Sequence, residues 1–241
     1  MQQERNKLGW STAFLAVSGL IPLVSLLRHQ PDALLIYSVF VVACLFRRQL
    51  AGLADHLPGP PATYLILFFI VSGDLAETFA WMDNYSKATA EPALLHPQLI
   101  PDLILGIGLY TGWALAWLIV FRWYRFSLAE AFVVTGIQAI FFEQLGAVFL
   151  RMVAVMLTNP LSSLLMALYV FAVHASVVGL AMVPVIHRLD DPNKSRHWSR
   201  FVLVIVLVVG LTMLCTGLMG AFTNLFGGLP PKKSIVEHPF W

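Results

Sequence analysis

Charge is what this sequence has least of. Only 12% of its 241 residues are Asp, Glu, Lys or Arg, about half the share found in soluble domains. That deficit excludes a water-facing surface of ordinary polarity. Together with 59% hydrophobic residues and a mean hydropathy of +0.78, it places the chain in lipid. The net charge of +2, without any dense run of Lys or Arg, argues against nucleic acid as a partner. Cysteine is almost absent. Cys44 and Cys215 both fall in apolar runs without a CxxC or Cys/His neighbour, so they read as free thiols packed like small hydrophobes.

Sequence motifs are missing as well. There is no phosphate loop, H-E-x-x-H, dinucleotide fingerprint or G-x-S-x-G elbow, which removes nucleotide-driven chemistry and an elbow serine from consideration. No repeat of 20–50 residues and no hydropathy-related halves are visible, which weighs against inverted-repeat carriers.

What the chain does have is long apolar runs. They cover 8–27, 33–46, 62–82, 102–121, 128–150, 161–186 and 201–226. Each is continuous rather than alternating, and most are long enough to cross about 30 Å of hydrocarbon as a helix. The expected fold is therefore all-α: a polytopic membrane bundle of about seven helices, forming a single domain over 1–241. The first run lacks an A-x-A cleavage pattern and reads as a retained span. Retinal chemistry is excluded despite the helix number, because Lys7, Lys87, Lys194, Lys232 and Lys233 all lie outside the spans.

Loop charges give the direction. With the N-terminus in the cytoplasm, ten of the 15 Lys and Arg residues fall on the inner side, among them Arg47, Arg48, Arg122, Arg125, Arg188 and Arg200. The outer side holds Arg28, Lys87, Arg151, Lys232 and Lys233. The positive-inside rule then predicts N-in, C-out, in a plasma or inner membrane. Ser127 with Glu130 forms a capping box before the fifth run, Asp32 is placed to cap the second, and Pro22 and Pro184 lie inside spans. Segment 47–57 sets Leu50, Leu53 and Leu57 against Arg47, Arg48 and Asp55, the pattern of a helix lying along the inner interface.

Against this background the ionisable residues inside spans stand out: Asp74, Glu77, Glu143 and His174. A charged side chain at the bilayer centre costs roughly 2.5–3.5 kcal/mol on insertion scales, so each asks for a reason. Helical spacing puts Glu143 on a stripe with Gly136, Ala139, Gly146 and Ala147, and Glu77 with Gly73, Ala76 and Ala80. Such stripes face other helices rather than lipid. Glu143 and His174 fall near the midplane, with Asp74 and Glu77 in the outer half, so the four converge in an outward cavity if spans three, five and six are neighbours. They form the expected catalytic or proton- and ion-binding set, with His174 and Glu143 as the metal-ligand candidates. No second mid-span histidine exists to complete a bis-histidine haem site, and no cofactor is assigned. The loop acids Asp83, Glu91 and Asp102, with His96, read as capping groups or an extension of the site.

Phe142-Glu143-Gln144, followed by Val170-Phe171-Ala172-Val173-His174, resembles the CPBP intramembrane proteases, which pair a glutamate-rich motif on one helix with a histidine on the next. Gln144 stands where that family has its second glutamate, Arg151 is too distant for the family's arginine, and the aromatic-to-histidine spacing differs. Under a fifth of the chain is covered, and membership is not assigned.

Gly108, Gly112 and Ala116 repeat every four residues in the fourth run, an extended GxxxG that serves internal packing or a homodimer. Three functions remain open at this level. The first is a membrane-embedded subunit or accessory protein of a larger complex. The others are an intramembrane enzyme acting on a lipophilic substrate and a small proton- or cation-coupled transporter.

Overall fold

The computed structural model describes residues 17–92 and 94–241. These residues are organised as α1 (Val17–Arg28), α2 (Pro31–Leu45), α3 (Arg47–Asp55), α4 (Pro61–Ser86), α5 (Leu99–Trp123), α6 (Leu128–Phe142), α7 (Ala147–Met156), α8 (Pro160–Met182), α9 (Ile186–Leu189) and α10 (Ser199–Leu225). A short 3-10 turn, Glu143–Gly146, joins α6 to α7. Among the described residues the only β-type pairing is an isolated parallel bridge between Tyr124 and Ser195.

Among the described residues, five helical segments are long and apolar enough to cross a membrane: α4, α5, the interrupted run Leu128–Met156, α8 and α10. A sixth is obtained if α2 and α3, bent by 73° at Phe46, are taken as one broken span. The expected first span, 8–27, is described only from Val17, where α1 is a shorter apolar helix; Arg5 and Lys7 lie outside the described residues.

The helix boundaries have local causes. The Ser127 side chain accepts from Glu130 N while Glu130 accepts from Ser127 N, so the capping box starts α6 as the spacing predicts. Asn159 caps α8 by accepting from Ser162 N. Asp32 does something other than capping. Gln30 is the N-cap of α2 and makes no side-chain cap bond, while Asp32, one residue into the helix, accepts from Tyr169 Oη at 2.5 Å. Pro184 does not kink a span from within. The α-helical path ends at Met182, two residues before the ring; Val183 keeps helical φ/ψ and bonds Gly179 O, and the ladder stops there because proline has no N–H to donate to Leu180 O.

Helix α8 is central: it packs against α2, α4, α6 and α7, while α5 packs against α4 and α10. Close approach is achieved by ring-into-glycine contacts. A Cβ on Gly73 would lie 2.1 Å from Tyr110 Cδ2, one on Gly136 2.4 Å from Phe171 Cδ2, and one on Gly179 2.4 Å from Phe40 Cε2. Gly108 and Gly112 instead admit backbone, with Cβ positions 2.8 Å from Cys215 O and 2.6 Å from Leu211 O of α10. The other face of α10 leaves Val206, Met213, Leu218 and Phe222 exposed, as a lipid-facing helix requires.

One end of the bundle is tied together by cations. Arg200 pairs with Glu130 at 2.6 Å and lies over the rings of Phe126 and Phe201. Arg125 bonds Asp190, Lys194 donates to Phe121 O, and Arg188 donates to Ala54 O. These contacts bring 47–57, the α5–α6 turn and the α8–α10 connection to a common end.

Candidate functional site

The site begins where a helix fails. Helix α6 runs to Phe142, after which Gln144 (φ 49°), Leu145 (φ 57°) and Gly146 (φ 88°) adopt left-handed backbone in succession. For a residue with a Cβ that conformation costs about 1–2 kcal/mol, and only Gly146 escapes the cost. The small-residue stripe inferred from helical spacing therefore ends early. Gly136 and Ala139 face the interior as expected, but Glu143 is presented by the break rather than by a continuous helical face.

What the break presents is a carboxylate aimed at α8. Glu143 Oε2 lies 2.6 Å from His174 Nε2. The other imidazole nitrogen, Nδ1, is 2.9 Å from Val170 O. A carbonyl only accepts, so Nδ1 must carry a hydrogen. In a neutral ring Nε2 would then be an acceptor, and a contact with Glu143 would require a protonated carboxyl; in an imidazolium Nε2 donates to a carboxylate. Either way one proton lies between the two side chains. The face of Trp113, with its ring centroid 5.7 Å from that of His174, bounds the pair on the α5 side.

A second carboxyl is held nearby on α4. Glu77 Oε1 accepts from Tyr110 Oη at 2.6 Å, and the Tyr110 ring occupies the space left by Gly73. Glu77, Glu143 and His174 all line one cavity of about 490 Å³, within the 300–1,000 Å³ range of small-molecule sites. Its walls are largely apolar, with Ile36, Met166, Val170, Val173 and Val177 among them. At the α1–α2 turn the lining is polar, with Arg28, Gln30 and Asp32 and the Tyr169 that bonds Asp32; Arg151, on α7, is a further polar lining residue.

Three of the four expected residues thus share a cavity. Asp74 does not join them: its Oδ1 lies against α5, 2.8 Å from the position a Cβ on Gly106 would take, and is buried without a hydrogen-bond partner. It remains close enough to interact electrostatically with Glu77. Asp83 pairs with Lys87 at 2.5 Å, and Asp102 accepts from His96 N, so these loop acids have local partners away from the cavity lining. Among the described residues no group of three or more His, Cys, Asp or Glu side chains is disposed to hold a metal ion; Glu143 and His174 are bonded to each other.

Several lining residues were not anticipated. Tyr110, Trp113 and Tyr169 look like ordinary aromatic packing in sequence, and Arg28 and Arg151 look like outer-side charges. Their only sequence signal is that both arginines border apolar runs, Arg28 just after 8–27 and Arg151 just after 128–150.

Beyond α5, the C-terminal segment folds back over the bundle. Pro239 O and Phe240 O accept from Leu99 N and Ile100 N, two first-turn donors that a helix start otherwise leaves unpaired. Gln98 donates to Lys233 O, His96 Nε2 donates to Pro230 O, and Phe240 stacks on Trp81.

Comparison with protein-family models, with curated proteins and with solved structures finds no match to this chain. The five or six apolar helices have the length and composition of membrane spans, compatible with a multi-pass membrane protein, and any activity rests on the site geometry.

Proposed function

We propose that the chain is a membrane-embedded acid–base catalyst acting on a lipophilic substrate, with Glu143 and His174 as its working pair and Glu77–Tyr110 as a second proton-handling pair. The observation that carries this reading is the 2.6 Å Glu143–His174 contact facing a cavity large enough for a small molecule. A carboxyl kept at a strained helix break for packing alone is a poor use of several kcal/mol. Held against a proton-sharing histidine inside a mostly apolar cavity, it becomes a general base. Glu143 Oε1 takes a proton from a water or substrate hydroxyl. His174 holds Oε2 and balances the charge, and the proton is returned to the leaving atom. The cavity shifts the balance from an accessory subunit toward chemistry within the chain.

With the N-terminus cytoplasmic, the Arg28 end lies outward and the cavity draws on the outer leaflet of the plasma or inner membrane. A proton-coupled carrier is a second reading, favoured by one feature: Glu77 interacts electrostatically with Glu143 on one side and with Asp74 and Asp102 on the other, a series of carboxyls reaching from the cavity toward α5.

The test is conversion of lipid. The protein is placed in nanodiscs, incubated with a total polar lipid extract, and products are read by mass spectrometry. We expect time-dependent conversion that falls at least ~100-fold in Glu143→Gln, in line with the size of acid–base contributions. No conversion in the wild type, together with proton-gradient-driven uptake in proteoliposomes, would replace the catalytic reading with the carrier.

A further inference from the structure

The polar end of the cavity has an unusual balance of partners. Each carboxyl in the lining has its own donor: Asp32 has Tyr169, Glu77 has Tyr110, and Glu143 has His174. The two arginines, Arg28 half-buried and Arg151 exposed, do not have acceptors. Among the described residues neither Arg28 nor Arg151 forms an ion pair or a side-chain hydrogen bond, and Arg28 Nη1 is buried with no partner. A buried guanidinium nitrogen without an acceptor is costly, and the cost is removed when an anion binds. Helix α7 adds to the field. Its first residues, Ala147 and Val148, line the same cavity; the Ala147 N–H is taken by Gln144 O, but the positive dipole end of the helix lies at the same place.

The rest of the cavity suits the other part of such a ligand. Ile36, Met166, Val170 and Val173 supply an apolar wall. Asp32 Oδ1, on a residue only 5% exposed, is a second buried atom without a partner, this time an acceptor. It can receive a hydroxyl or ammonium hydrogen.

We propose that this cavity binds an amphiphile bearing a phosphate headgroup, a phospholipid, with the phosphate between Arg28, Arg151 and the start of α7, and the acyl portion along the apolar wall. The assignment deepens the catalytic reading by naming the substrate class, and it rests on that reading for what happens to the lipid once bound. Arg28 and Arg151 are binding residues that bring the lipid to Glu143. Arginine suits the role because its planar fork engages two phosphate oxygens at once.

The experiment is calorimetric binding to purified full-length protein in a zwitterion-free, uncharged detergent, carried out in the Glu143→Gln background so that turnover does not enter. Three probes are compared: dihexanoyl phosphatidate, dihexanoylglycerol and inorganic phosphate. The phosphatidate is expected to bind at least tenfold tighter than either of the others. Arg28→Gln and Arg151→Gln should each weaken it about tenfold, while Arg28→Lys and Arg151→Lys, which retain the charge but lose the planar fork, should weaken it by an intermediate amount, about three- to fivefold. Equal binding of the uncharged diglyceride would overturn the phosphate assignment. Inorganic phosphate binding as tightly as the lipid would overturn the amphiphile assignment. Folded Gln variants with wild-type affinity would overturn the role of the arginines. Phosphatidate binding with no conversion of any lipid would leave the binding site standing and remove the catalytic reading.

Discussion

His174 Nε2 meets Glu143 Oε2 at 2.6 Å across a discontinuity: the histidine belongs to an unbroken helix, the glutamate to the point where α6 gives way to α7. The contact depends on the break. The three left-handed residues that follow Glu143 make the break a specific conformation and not a simple bend.

The break can be tested through Leu145. With φ 57° it carries a left-handed backbone cost that glycine lacks, while it is 80% exposed and contributes little packing. Leu145→Gly should raise the midpoint of thermal unfolding by up to ~3 °C, since relief of about 1–2 kcal/mol is partly offset by the entropy of the unfolded glycine. Leu145→Val should lower it, because a β-branched side chain tolerates this region worst. In a continuous helix glycine would instead be the least stable of the three.

The contact of α5 with α10 makes a paired prediction. A Cβ on Gly112 would press on the α10 backbone, 2.6 Å from Leu211 O, whereas one on Gly217 meets nothing within 4 Å. Gly112→Ala should destabilise by about 1–3 kcal/mol, and Gly217→Ala should be neutral or slightly stabilising. Thermal unfolding in detergent measures both, and equal effects would contradict the packing described.

Glu130 and Arg200 form a pair in which both side chains are 6% exposed, so removing one leaves a buried charge. Arg200→Met alone should cost about 3–5 kcal/mol, and adding Glu130→Gln should recover part of it. A surface pair would show under 1 kcal/mol and no recovery.

The C-terminal segment carries a pH dependence through His96. Its Nε2–H donates to Pro230 O while Nδ1 accepts from Gln98 N, so the neutral ring uses both nitrogens and protonation of Nδ1 breaks one bond. Burial pushes the imidazole below its usual range, the bond to Pro230 O opposes this, and Lys232 adds to the lowering. The unfolded or detached state thus binds the proton more readily. Stability from this contact is present above about pH 6.5 and declines as pH falls below it. Corrected for the intrinsic slowing of exchange as pH falls, the protection of amides in 229–241 should therefore drop between pH 7 and 5, and His96→Gln should flatten the change.

Legibility in the sequence varied with how local the cause was. The capping box at Ser127–Glu130 acts within four residues and could be read directly, and the Asn159 cap of α8 is of the same reach. Apolar runs located the helices, and small-residue spacing placed Glu77 on an interior face. The break after Phe142 was hidden because Gln144 and Leu145 carry no left-handed signature; Gly146 alone hinted at it. Arg28 and Arg151 were hidden for a different reason. They lie more than a hundred residues apart, Arg28 at the end of α1 and Arg151 in the middle of α7, and line the same cavity only because α1, α2, α7 and α8 surround it. The return of Pro239 and Phe240 to the start of α5 is a pairing that no spacing rule encodes.

If Glu143 and His174 work as one unit, their losses must not multiply. The most direct measurement is a double-mutant comparison of lipid conversion in nanodiscs, with Glu143→Gln, His174→Gln and the combined variant assayed beside the wild type after each is shown to be folded. The expected result is that each single change lowers the rate ~100-fold or more and the double change lowers it little further. Losses that multiply, or a single variant that retains the wild-type rate, would contradict a shared catalytic proton between these two residues.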